Sequence, residues 1–511
     1  EEGGIPEDED TFIDEAERGI QTQSEEEMSP STLKLTLPQR RLLYFTRRFA
    51  AKKTSDLFKT ATDAVEKHLP GVKTSVNFRS GVRRVLTSET ADWFQFGRDR
   101  SVTMMWNEDW LNSYGWRRNG IQLVSYYADL MRAAARKHSL PVGGFLIMMG
   151  HAQLKSYSAL AHGSRYLHYW RYGPAYANYL PYSWSHSKRT VQEVATVCSD
   201  LARIENLLLE SEREPARVAL LYAKTDPIYG RSQAENRLVY FALLHDQIAV
   251  DLVTELQIEE DGLLSNYDFL YVTDESVRRK SQKKIAEWVK AGGKLWLSGG
   301  AATRGEFDEP INLIHGQFGA ESSQQGAPQE LRLAKGEQAA SAEPSWRIET
   351  KGKSNATVFF KSATTAQTDT EAGSGRLCLS AFRPGVLYEA TVRPNHNRTK
   401  GKGVIQRGWS NERRHWITGF ALAHDVERTV IVDRPCIEVV RYLHPTKDLV
   451  MLINYTGEES DLPLNIQIRS EEEITQVESL RHGVLRFEKL KRGAAVNVPI
   501  ALTDTLIVSH E

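Results

Sequence analysis

In the run VTMMWNEDW, residues 102–110, an apolar stretch ends in two carboxylates, Glu108 and Asp109, set between the indoles of Trp106 and Trp110. A surface turn is the bland explanation of that pattern. The alternative is chemistry on a glycosidic bond, which needs two carboxyls flanking the bond, about 5 to 5.5 Å apart for retention and about 6.5 to 9.5 Å for inversion. Neighbouring residues on a strand point to opposite faces, so Glu108 and Asp109 cannot form that pair alone. At most one is catalytic; the other is a hydroxyl-binding or supporting group, and the true partner comes from another strand.

Aromatic density around these acids fits a carbohydrate better than either acid does. Trp93, Trp106, Trp110, Trp116, Trp170 and Trp184, with the tyrosines between Tyr166 and Tyr182, crowd one part of the chain. Aromatic faces stack on pyranose C–H faces, and Tyr and Trp tips hydrogen-bond hydroxyls. In RYLHYWR, alternation sends Tyr166, His168 and Trp170 one way and Leu167, Tyr169 and Arg171 the other, so Trp170 or Arg171 reaches a ligand. His162 and His168 read as core histidines. His151, just past an apolar run, is a candidate proton donor or polar contact. The glycine-rich GGAATRGE lacks a phosphate-loop lysine, and no cysteine lies between residues 199 and 377 to act as an amidotransferase nucleophile. An amidotransferase reading needs instead a nucleophile near Ser298.

The elements that must place these groups alternate between helix and strand. Helical spacing of Leu42, Phe45, Phe49, Leu57 and Ala61 predicts a long helix from Pro38 to about Leu69. A short strand in KTSVNFR, a helix at ADWFQFGRDR, a strand at VTMMW, a helix at IQLVSYYADLMRAAARK and a buried strand at GGFLIMM follow. Helix, aromatic strand and helix then complete the series to residue 210. This alternation implies βαβ units and a parallel sheet, as in a (β/α)8 barrel, where functional residues gather at the C-terminal strand ends. Asn77, Asn107 to Asp109, His151, Trp170 and Arg171 are expected at that mouth. Only four units are visible, half a barrel, which leaves open edges for further strands.

A composition break at ESEREPAR opens a flavodoxin-like doubly wound domain, 213–322, and β-like runs such as EVVRYLH and DLVMLINYT predict a C-terminal β-sandwich within 340–511. Residues 1–34 form an acidic leader or loop without the features of a signal peptide. Over 511 residues, 65 basic and 66 acidic side chains nearly cancel, which argues against a nucleic-acid or membrane-surface partner. Three widely spaced cysteines suggest buried apolar groups, with no metal or cofactor motif. Localisation stays open.

In the order VTMMWNEDW, YYADLMRAAARK, GGFLIMMGH and SYSALAHGSRYLHYWRYG, the chain resembles the glycoside hydrolase family 42 β-galactosidases. The resemblance implies barrel strands six to eight, an amidotransferase-like trimerisation domain, a small β domain and a β-linked, galactose-containing oligosaccharide substrate. Trp106 and Asn107 match the family's Trp-Asp-Asn-Tyr region, with Glu108 and Asp109 in place of Asn-Tyr. Trp170 and Arg171 match the end of strand eight, and His162 and Gly163 the Ala-His-Gly turn. The family's strand-seven glutamate has no match, because Gly150 and His151 follow the apolar run. The expected function is a glycosidase with Glu108 as leading carboxylate, Asp109 and Asn107 as hydroxyl ligands, His151 assisting and Trp106 and Trp170 as stacking platforms. The alternative is a sugar-binding or scaffold relative without catalysis.

Overall fold

Pro38 near its start and the Thr36 amide donating to Gln39 Oε1 at 2.8 Å open the helix α1, Leu37–His68. The computed structural model describes residues 35–79, 92–108, 121–147, 151–170, 188–392 apart from 326, 336, 343, 352 and 353, 405–457 and 462–511. The expected acidic leader lies outside them. The apolar stripe of α1 does not face the core, as its spacing suggested. Leu42, Phe45, Phe49 and Leu57 are 58–68% exposed. The helix docks instead through Tyr44, Ser55 and Thr62: Ser55 donates to Asp99 at 2.8 Å, and Thr62 to the Ser101 carbonyl at 2.8 Å.

Four parallel strands follow in sequence order, β1 Phe78–Arg79, β2 Met105–Glu108, β3 Val142–Ile147 and β4 Ser164–Trp170. Between them run α2 Trp93–Asp99, α3 Leu123–Ala135 and α4 Ala152–Ala161, and α5 Lys188–Glu210 comes after. The strand expected at VTMMW starts later than predicted. Thr103 and Met104 both donate to the Thr74 carbonyl at 3.1 Å, outside the ladder, so pairing begins at Met105 and Glu108 is the last strand residue. Helix α3 is buried almost throughout, and Phe78, Phe96, Leu130 and Leu146 share its core.

A seven-stranded sheet forms the second module. Its strands β6 Val218–Tyr222, β7 Val250–Thr254, β8 Phe269–Val272 and β9 Lys294–Leu297 are separated by helices that include α6 Ala234–His245 and α7 Arg279–Lys290. The sheet then takes β10 Ser354–Phe359, β11 Thr365–Ala372 and β12 Gly375–Ser380. The order is β10-β11-β12-β9-β8-β6-β7, parallel from β12 to β7 and antiparallel at the β10–β11–β12 edge. Its parallel part follows the flavodoxin-like order 2-1-3-4-5. The boundary expected at residue 322 therefore moves: GRLCLS, assigned to the C-terminal domain on strand-like composition, is the fifth parallel strand here. A further helix, α8 Asn411–Ala423, also lies in the stretch read as β-rich.

Residues 430–510 form two sheets facing one core. One contains β13 Val430–Val432, β16 Leu462–Ile468, β19 Phe487–Leu490 and β20 Gly493–Ile500; the other contains β14 Ile437–Leu443, β15 Lys447–Asn454, β17 Ile474–Ser479, β18 Gly483–Leu485 and β21 Thr503–His510. Alternate residues of both, among them Val450, Leu464, Val496 and Leu506, fill the space between, as in a β-sandwich. A short strand after α5, β5 Glu212–Arg213, pairs with β14 and ties the first module to the sandwich. Cys378 and Cys436 are buried as expected, but Cys198 is exposed on the outer face of α5. No helix of the described residues is long and apolar enough to cross a membrane.

Candidate functional site

Register in the first sheet decides which side chains meet. Trp106 is level with Gly143 and Tyr166, and Glu108 with Phe145 and His168. Both rows lie on one face. A Cβ on Gly143 would stand 2.7 Å from the Trp106 ring and 2.7 Å from the Tyr166 Cβ, so only glycine lets the indole lie across β3. Phe145 then meets Trp106 edge-on at 5.1 Å, His168 at 4.6 Å and Trp170 at 5.6 Å. The result is an aromatic row over three strands, with Glu108 at the C-terminal end of β2.

This face is turned away from the helices. Leu167 and Tyr169 pack on the opposite side, where the Tyr169 hydroxyl lies 3.2 Å from Ser156 Oγ of α4. Glu108, Trp106, Phe145 and Trp170 are half-buried, whereas Tyr166 and His168 are exposed. His168 is thus not a core histidine: strand alternation that buries Leu167 and Tyr169 places it beside Tyr166 and Trp170. His162 is the fully buried one.

The other expected site residues divide. Asn107 parts from Glu108, because its side chain lies over Gly144 on the helix-facing side and its Oδ1 is buried without a partner. Asn77 is exposed next to buried Phe78, which sets it on the aromatic side, a row below Glu108. Asp109, Trp110 and Arg171 lie outside the described residues.

His151 precedes the first residue of α4 and is buried. Arg189 donates to its Nδ1, and Glu193 Oε1 lies 3.8 Å from the same nitrogen. Arg189 and Glu193 pair at 2.7 Å, and Glu193 also accepts the Gln153 amide at 3.0 Å. Burial alone would raise the Glu193 carboxyl, but His151, the Gln153 amide and Arg189 outweigh it and hold the group below the usual carboxylate range. Neither Arg189 nor Glu193 was singled out in the sequence; their i,i+4 spacing at the start of α5 was the available signal.

Among the described residues no group of three or more His, Cys, Asp or Glu is placed to hold a metal ion. Two cavities, of about 470 and 570 Å³, lie elsewhere: one against Arg304, His315 and Trp346, the other against Asp246, Arg414 and Trp416. Among the described residues the aromatic face is an open surface.

No protein-family model and no curated protein matches the sequence. Solved structures do. A β-galactosidase from Bacillus circulans sp. alkalophilus superposes with a TM-score of 0.67 at 14% identity, over 91% of this chain and 67% of its own. A catalytic mutant of Gan42B, a GH42 β-galactosidase from G. stearothermophilus, gives 0.65 at 15% identity, over 98% and 73%. The chain has the fold of the family 42 β-galactosidases. An enzyme of another activity is also similar: an exo-carrageenase GH42 from Bacteroides ovatus matches with a TM-score of 0.55 at 13% identity, over 92% of this chain and 56% of its own. At such identities the likeness is one of architecture, and the substrate must be argued from the site.

Proposed function

We propose that the four-stranded sheet is one half of a (β/α)8 barrel and that the chain is a glycoside hydrolase acting on β-linked, galactose-containing oligosaccharides. The observation that carries this reading is the row Glu108–Phe145–His168 above Trp106 and Tyr166: a carboxylate at the C-terminal end of a parallel strand, where barrels place their chemistry, bordered by rings able to stack on a sugar. The neighbouring β-galactosidases support it, and the 67–74% of their lengths matched by this chain leaves room in them for the remaining barrel strands.

In this reading Glu108 is the leading carboxylate, Trp106 and Trp170 are stacking platforms, and Tyr166, His168 and Asn77 offer hydrogen bonds to hydroxyls. Asp109 is a hydroxyl ligand, and Trp110 and Arg171 are substrate-binding residues. His151, gripped by Arg189 and Glu193, is a polar contact beside the strand ends. The doubly wound module is the proposed homo-oligomer contact, a trimer by family resemblance, which light scattering on the purified chain tests. Hydrolysis of an aryl β-galactoside tests the activity: the wild type releases the aglycone and Glu108→Gln does not. Equal turnover by both rejects Glu108.

The second reading, a sugar binder without turnover, is favoured by one observation: the position after β3 where the family has its glutamate is followed here by a histidine occupied by Arg189. Calorimetric galactoside binding with no hydrolysis of any glycoside selects it.

A further inference from the structure

The three modules meet at a single fully buried imidazole. His162, in the turn after α4, places Nδ1 2.9 Å from Asp129 Oδ2 of α3 and Nε2 2.8 Å from Glu438 Oε1 of β14. All three residues have no exposed surface. Carboxylates in these pairs only accept, so holding both at once requires a proton on each ring nitrogen, the imidazolium; the Tyr240 hydroxyl, 3.2 Å from Nδ1, is the donor available to that nitrogen once it is deprotonated. Further charged and polar groups surround them. Arg132 of α3 reaches Asp129 at 2.8 Å and Asp251 of β7 at 2.6 Å, and Arg213 of β5 reaches Asp129 at 3.2 Å. The Tyr240 hydroxyl of α6 donates to Asp129 at 2.8 Å. Gln122 and Ser125 donate to Glu438 at 3.0 and 2.8 Å.

We infer that His162 is a proton-operated clasp: protonated, it holds the first sheet's helices, the doubly wound module and the β-sandwich in one arrangement; deprotonated, it releases Asp129 or Glu438 and loosens the junction. Three acids, Asp129, Asp251 and Glu438, face the imidazolium and three guanidinium groups, Arg132, Arg213 and Arg136, the last 3.6 Å from Asp251. A neutral ring donates to only one of the two carboxylates, so loss of the proton leaves a buried acceptor without its donor, which is costly in a low-dielectric site. Burial alone would push the imidazole down, but Asp129 and Glu438 raise it above its ordinary value. The sign follows: the clasp is closed below the unfolded value of about 6.5 and is lost as pH rises through the higher folded value. β4 begins two residues after His162 and carries Tyr166, His168 and Trp170, so the loosening is delivered to the aromatic row. Gly163, at φ +103°, packs against the Arg132 side chain and fixes that turn to the cluster. The clasp does not depend on the sugar reading.

The test is hydrogen exchange on the full chain, corrected for intrinsic rates, at segments 123–135, 158–164 and 437–443. In the wild type, protection should fall at least about ten-fold between pH 6 and pH 9, and His162→Gln should show the low protection at both pH values. Wild-type protection independent of pH, or an unchanged pH dependence in His162→Gln, overturns the clasp. If His162→Gln does not fold, nitrogen NMR of histidine-labelled wild type decides: both ring nitrogens of His162 protonated at pH 7 supports the clasp, and a neutral ring refutes it.

Discussion

The junction around His162 and the face around Trp106 are built from adjacent segments of the same module, yet they are opposites. At the junction nearly every polar atom has a partner inside the chain, and each acid faces a base. On the aromatic face the rings of Trp106, Phe145 and Trp170 are only half covered, and Tyr166 is 47% exposed. A closed polar cluster specifies how elements are assembled; an uncovered aromatic row asks for something to cover it. The exposed stripe of α1, Leu42, Phe45, Phe49 and Leu57, is of the second kind.

The contrast is broken most severely at the junction. Asp129→Ala strands Arg132, Arg213 and the His162 imidazolium in a buried site, and should cost about 3 to 5 kcal/mol of stability or prevent folding, measured by denaturant unfolding. Loss of less than about 1 kcal/mol would show the cluster to be more hydrated than its burial implies. On the open face, Glu108→Gln should leave unfolding unchanged within about 0.5 kcal/mol, because the group is half-buried at a strand end. Gly143→Ala should disturb both properties at once: a Cβ 2.7 Å from Trp106 and Tyr166 displaces the indole, costing about 1 to 3 kcal/mol and shifting the tryptophan fluorescence.

A pH series sharpens the comparison from the other side. His245, buried between the Tyr388 hydroxyl and Gln122 Oε1 at 2.8 and 2.9 Å, is held well below the usual histidine value by burial and by Arg414. With a depressed folded value, it favours the folded state above about pH 6.5 and loses that contribution as pH falls. Stability should decline on the acid side through His245 and on the alkaline side through His162, and His245→Gln should flatten the acid limb alone.

Much of this was legible in the chain. The alternation of helix and strand to residue 210 and the parallel sheet follow from hydrophobic period, and the Tyr166–His168–Trp170 face from strand alternation. Three things were not. GRLCLS reads as a strand wherever it is put, and only β9 pairing with it assigns it to the doubly wound sheet. Glu438 sits in an apolar strand 276 residues from His162, so nothing local announces that they meet. The stripe on α1 has core-like spacing, but the helix docks through other residues, Tyr44, Ser55, Phe58 and Thr62. Periodicity reveals which residues share a face, not what the face meets.

Whether a sugar lies on that face is the central question, and calorimetric titration of the full chain with a non-hydrolysed thio-β-galactoside answers it directly. The account predicts binding in the wild type that weakens about ten-fold, roughly 1.4 kcal/mol, in Trp106→Ala. Equal affinity in the two proteins, or no binding in the wild type, contradicts it.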